Sequence, residues 1–273
     1  MIFGKGKKPR EENHVINDTK VNVGEFAAFA LLSKADWDKE QFFADLKSEW
    51  GINVEDDAPE DNDVVYVEAE GFRVIVALMP MAVPNGEAEH YAKANYMWKD
   101  AEKTVSRHKA HLIVTVLGEG DMLTRANVFV KICSSLMNQE NAVALYSEGA
   151  VYSPQMFRDF SGVLKDEGLS GEVPILNLVW FGIYGDGKIS GVYTYGMRRL
   201  GKEEIEIYVP QKLADLNQIR SFLVSVAAYV IGDDVILRDG ETIGFSAEQK
   251  LPIKLSPGIA VDGNTLKIDI TEQ

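Results

Sequence analysis

Residues 64–80 read VVYVEAEGFRVIVALMP, and this stretch decides the fold class. Val65, Val67 and Ala69 alternate with Tyr66 and Glu68, the period of two that a half-buried strand requires. Glu70–Gly71 interrupts the run before apolar residues resume at Phe72. The stretch therefore reads as two strands, over 64–69 and 72–79, joined at a turn.

Upstream, GEFAAFALLS (24–33) is a short apolar run that reads as a buried strand over 26–32. DWDKEQFFADLKSEWG (36–51) follows as a helix. Phe42, Phe43, Leu46 and Trp50 share a face, Asp36 or Asp38 caps the start, and Gly51 suits the stop. Downstream, Pro80 and Pro84 punctuate a loop. Tyr91, Ala94, Trp98, Ala101 and Val105 then repeat at helical spacing, which predicts one long helix over 88–107. AHLIVTVLG (110–118) predicts a strand over 110–117. Phe43 and Trp98, central on their stripes, are expected in the core.

The order strand, helix, strand, strand, helix, strand is that of a ferredoxin-like split βαβ unit. A helix over 121–138 then bridges to a second half with strands at 141–146, 175–184, 188–196 and 203–209 and a long helix at 213–230. Ser153 and Pro154 open a further helix. IKLS and LKIDI form a closing pair of strands. The expected fold is α+β: two tandem ferredoxin-like (βαββαβ) halves, duplicated in element order, with a C-terminal β-hairpin. The expected divisions are a flexible arm at 1–20, a first half at 21–120, and the bridging helix with the second half at 121–273.

The chain has 273 residues and a net charge of −14. Such acidity repels a phosphate backbone and argues against nucleic-acid binding. EDDAPEDND (55–63) concentrates six carboxylates in nine residues. No run approaches the length of a membrane span or a secretory leader, so the expected location is the cytoplasm. The single cysteine, Cys133, excludes an internal disulfide and lies on the apolar face of its helix, where a small buried hydrophobe is expected.

No Walker lysine loop, dinucleotide glycine loop, nucleophile elbow or HExxH pair is present. His108 and His111 form H-K-A-H at a helix–strand junction. The plain reading makes His108 a cationic cap and His111 a strand-start residue bonded to a loop. Two neighbouring histidines fall short of a metal site, so neither metal nor cofactor is expected. Arg198 and Arg199, framed by glycines, have the chemistry to hold a carboxylate or phosphate. The plain alternative is a solvated connection whose arginines pair with Glu203 or Asp186. Glu204 and Glu206 share one strand face, for which exposure is the ordinary reading and acid–base work the alternative if buried.

AFALLS (28–33), MPMAVPNGEAEHYA (79–92), SRHKAHLIVTVLG (106–118), YGMRRLGKEEIEI (195–207) and LRDGETIGFS (237–246) together resemble the bacterial domain-of-unknown-function family numbered 4261. The resemblance runs over about residues 24–260 and implies no activity, cofactor or catalytic residue.

Composition and motifs therefore favour a cytosolic acidic binding protein, in one version immunity-like, that covers a basic protein partner. The candidate binding residues are His108, His111, Arg198, Arg199 and Glu204. The alternative is a small-molecule enzyme, such as a hydrolase, with a site between the two halves at those residues.

Overall fold

The computed structural model describes residues 23–54, 63–166, 173–211, 215–244, 246 and 249–270. The arm expected at 1–20 and most of the acidic run 55–63 lie outside the described residues. The fold is mixed α+β with two six-stranded sheets. Among the described residues the chain divides into two compact units, 24–178 on the one hand and Val23 with 179–270 on the other.

In the first unit, β1 (Phe26–Leu32), β2 (Val64–Ala69), β3 (Phe72–Met79) and β4 (Ala110–Leu117) fall where the alternation places them. β5 (Ala142–Ser147) and β6 (Ala150–Tyr152) complete a sheet of order β2-β3-β4-β1-β5-β6. Every neighbouring pair is antiparallel. α1 (Lys39–Trp50) starts at Asp38, whose carboxylate accepts from the Gln41 amide at 2.9 Å, and ends at Gly51 in the left-handed region, φ 68°. α4 (Met122–Leu136) is likewise capped by Asp121 and buries Ala126, Phe129, Val130 and Cys133. The Phe129 ring meets Phe26 of β1 at 5.6 Å.

The expected long helix is instead two short ones, α2 (Glu87–Lys93) and α3 (Ala101–Val105). Asn95 is the cause. Its side-chain oxygen accepts from the Met97 and Trp98 amides, both at 3.0 Å, and its amide donates to the Val151 carbonyl at 2.6 Å. These bonds offer the backbone a turn in place of helix. Trp98 is therefore only half-buried, and on α1 Phe42 rather than Phe43 is the fully buried ring.

The pairings also overturn the ferredoxin-like order. A split βαβ unit sets a strand between the two that its helix joins. Here β3 and β4 pair directly and antiparallel, from Arg73↔Leu117 to Met79↔His111. The connection through α2 and α3 is an excursion that returns to the same edge. α4 does not bridge to a second half, since β5 pairs with β1, and the unit boundary falls at 178/179 instead of 120/121. Part of the strand expected at 175–184 is helical: α6 (Ile175–Leu178) follows Pro174, and the Asn177 side chain donates to the Phe157 carbonyl of α5 (Pro154–Ser161) at 2.8 Å.

The second unit runs β7 (Trp180–Gly185), β8 (Ile189–Tyr195), β9 (Ile205–Pro210), α7 (Leu216–Gly232), β10 (Thr242–Ile243), β11 (Leu251–Pro257) and β12 (Asn264–Ile268). Its sheet order is β10-β11-β12-β9-β8-β7. The β11–β12 hairpin closes as expected, and β12 lies parallel to β9, with Leu266↔Ile205 and Lys267↔Glu206. Among the described residues the first unit has no such parallel pair, so the two sheets differ in topology. α7 buries Leu223, Val226, Ala227 and Val230.

Candidate functional site

The two paired histidines belong to the first unit and hold one loop. His108, after α3, donates from Nδ1 to the Val105 carbonyl at 2.6 Å and accepts at Nε2 from the Val83 amide at 2.9 Å. The ring thus ties the end of α3 to the Val83 amide, with the Glu89 carboxylate 3.5 Å from the same Nδ1. His111, at the start of β4, donates from Nδ1 to the Met81 carbonyl at 2.8 Å. Burial, outweighing that bond, holds the His111 imidazole below its ordinary value. The pair thus staples Met81–Val83 between two prolines. Among the described residues no group of three or more His, Cys, Asp or Glu is placed to hold a metal ion.

The arginines and the glutamate belong to the second unit, where RRLGKEEIE (198–206) is the most unusual stretch of the molecule. Arg198, Arg199, Lys202, Glu203, Glu204 and Glu206 are all buried, which overturns both the solvated connection and the exposed glutamate face. The reason is position. β9 lies between β8 and β12, so both of its edges are paired, α7 packs against it, and the 259–261 amides close over Glu206. Burying charge is expensive unless every oxygen finds donors, and here the donors are visible. Glu204 accepts from the Thr194 hydroxyl at 2.6 Å and from the Gly196 and Arg198 amides at 2.8 and 3.2 Å. Glu206 accepts from the Ala260 and Val261 amides at 2.9 and 3.3 Å, the Thr265 hydroxyl at 2.9 Å and Lys267 Nζ at 2.9 Å. The Ile259 amide reaches both Glu206 oxygens at 3.1 Å.

The two glutamates diverge electrostatically. Burial pushes Glu204 above the ordinary carboxylate range, outweighing the Thr194, Gly196 and Arg198 bonds and the Arg198 charge. Burial acts on Glu206 too, but Lys267, the Ala260 and Ile259 amides and Thr265 outweigh it and hold that carboxyl low. Burial and then the Glu206 charge raise the Tyr208 phenol. Arg198 also donates to the Asn264 carbonyl at 2.9 Å, and Lys202 pairs with Asp234 at 2.5 Å. The structure thus brings Arg198 and Glu204 together at one turn and places His108 and His111 in the other unit. A cavity of about 10 Å³ beside β9, lined by Lys202, Glu203 and apolar side chains, has roughly the room of one water. Chemically, the arrangement clasps loops: Glu204 fixes the turn 196–198, and Glu206 fixes 259–261. Sequence patterning sets Glu206 beside Glu204 on one strand face but gives no sign of Thr265 or Lys267, which reach Glu206 only through the β9–β12 pairing.

A different kind of surface lies on the first unit. α4 packs on one face of its sheet, while α2 and α3 pack on the other face against β1, β5 and β6. Among the described residues, no helix packs closely over the β2–β4 half of that second face. Its side chains are Val64, Tyr66, Ile75, Ile113, Thr115 and Leu117, aligned by the pairings Tyr66↔Ile75, Ile75↔Thr115 and Ala77↔Ile113. Tyr66 and Leu117 are 42% and 44% exposed, well beyond what a core face would show. Glu68 and Arg73 pair across its end at 2.7 Å. The charge is as uneven as the packing. Residues 24–178 carry 26 Asp and Glu against 13 Lys and Arg, a net of −13, whereas residues 179–273 carry 13 against 10, a net of −3.

No curated protein and no solved structure matches the chain. The family match is shorter than the resemblance read over 24–260, because it leaves the first unit out. Residues 193–269, which hold β9, both buried glutamates and the β11–β12 hairpin, match the family described as a domain of unknown function (DUF4261).

Proposed function

We propose that this chain is a non-enzymatic binding protein that covers a basic protein partner, in the manner of an immunity protein, within the cytoplasm. The observation that carries the reading is the coincidence, on the first unit, of a net charge of −13 with an uncovered apolar half-sheet. Protein interfaces join an apolar, aromatic-bearing centre to a polar rim. Tyr66, Ile75 and Leu117 supply such a centre, and the surrounding carboxylates speed encounter with a cation-rich surface. A single buried thiol, Cys133, suits a reducing compartment. Among the described residues no helix is long and apolar enough to cross a membrane.

The enzymatic alternative would recruit His108, His111, Arg198 and Glu204 as a hydrolase-like set. It finds less support, because the described bonds of these side chains hold the protein's own loops. The test immobilises the full chain, exposes it to cell extract at low and high salt, and identifies what is retained by mass spectrometry. The expected catch is proteins with basic contact surfaces, released by salt and not retained by the double variant Tyr66→Lys, Leu117→Lys. Retention of acidic proteins, or an unchanged catch on the variant, overturns the reading.

A further inference from the structure

We infer that β2 is the recognition edge of the first sheet, and that the partner adds to it an extended segment of alternating apolar and basic residues as a further strand. The inference rests on the basic-partner reading above and specifies its mode.

Among the described residues β2 ends the sheet, with β3 as its one neighbour. Strand edges invite pairing with other chains, and proteins ordinarily blunt them by shortness, prolines, bulges or charge. The other edges are blunted. β6 has three residues and β10 two, and β7, WFGIYG, though paired with β8 over six residues in unbroken register, is weakened as a template by Gly182 and Gly185. β2 has six residues in unbroken one-to-one register with β3, from Val64↔Ala77 to Ala69↔Phe72. It holds no proline. Its one charged side chain, Glu68, is occupied by Arg73.

The sides of β2 predict what an added strand would carry. Val65, Val67 and Ala69 face the core, whereas Val64, Tyr66 and Glu68 face the uncovered side. A strand laid beside β2 would set every second residue next to Tyr66, extending the apolar surface there. Glu70 at one end of β2 is already paired with Lys131, but the whole unit carries −13, so the remaining positions favour lysine or arginine. A second copy of the chain is disfavoured by the same charge, since it would bring −13 against −13.

The probe is a synthetic peptide of about ten residues alternating valine and lysine, a strand's length. It is compared with a helix-forming peptide of equal charge and with the glutamate counterpart of the first. Titration of the labelled peptides with the full chain is joined to hydrogen exchange on β2. The expected result is binding of the alternating lysine peptide about tenfold tighter than the helical one, as main-chain pairing predicts. It should come with new protection across Val64–Ala69 and be lost in Tyr66→Lys. Equal binding of the two basic peptides with no β2 protection overturns the edge and leaves the basic-partner reading standing. No binding of either basic peptide overturns both. A dimer of the free chain that Tyr66→Lys dissociates overturns the inference in favour of self-pairing. Protection of β2 in the free chain that is lost on deleting residues 1–22 overturns it in favour of the chain's own segment.

Discussion

Two strands of this protein place a glutamate in the same apolar alternation and treat it in opposite ways. In β2, VVYVEA, Glu68 stands in solvent and pairs with Arg73. In β9, IEIYVP, Glu206 is wholly buried beneath three backbone amides, a hydroxyl and a lysine. The local sequences differ little; the positions differ completely. Among the described residues β2 ends its sheet on a half-face without a helix packed closely over it, and β9 is the inner strand between β8 and β12. A carboxylate in a strand therefore takes its meaning from what lies beside the strand. The contrast extends to the units, one wearing its charge outside and the other holding it within.

The sharpest test of this contrast is a pair of truncations. Glu206→Ala strands Lys267 and the 259–261 amides and is expected to destabilise the second unit by about 3–5 kcal/mol. Glu68→Ala, at a pair more than half exposed and screened by solvent, should cost no more than about 1 kcal/mol. Urea denaturation of both would break the comparison if the two losses were alike. Asn95→Ala comes next. It removes the bonds that divide α2 from α3 and should cost about 1–3 kcal/mol, with faster exchange of the Met97 and Trp98 amides.

Stability against pH separates the two glutamates of β9. Glu206 is held low, so its contribution is complete above the ordinary carboxylate value of about 4.3 and is lost as pH falls through the folded value. Glu204 is raised, so the folded state binds its proton more tightly than the unfolded chain does. Its effect is most favourable below that ordinary value and declines as pH rises toward the folded one. Denaturation across the acid-to-neutral range should show Glu206→Gln flattening the acid limb and Glu204→Gln flattening the opposite one. The smallest effect belongs to the acidic run. Replacing Asp56, Asp57, Glu60 and Asp61 with Asn or Gln should change stability by no more than about 0.5 kcal/mol. It should slow association with a basic partner, most clearly at low salt in stopped-flow measurements.

Strands were legible because alternation is local. The bounds of β1 to β4 follow from the side-chain period alone, as do the caps of α1 at Asp38 and Gly51. What the sequence hid is non-local. Element order is the same whether β4 pairs with β3 or with a strand beyond it, so the topology could not be read from order. The 88–107 stripe has helical spacing throughout, and only the bond from Asn95 to Val151, fifty-six positions away, shows why it breaks. Arg198 and Arg199 read as solvated because arginines ordinarily are, and β12 reaches β9 only through the hairpin that follows α7. The solvated surroundings expected for Arg198, Arg199 and Glu204 are thus replaced by burial. His111 was assigned its loop correctly.

The parallel pairing of β12 with β9 has a consequence for synthesis. A ribosome makes residue 206 well before residues 259–267, so through that interval the Glu206 carboxylate has none of the partners that later enclose it. The first unit is in a different position, since all of Gly24–Leu178 precedes β9 in the chain. Domains tend to fold as they emerge, the N-terminal one first. The first unit should acquire protease resistance on stalled nascent chains while the second still awaits its hairpin. Any quality-control factor that meets this chain during translation would then meet unpaired charge in the second unit beside a finished first one.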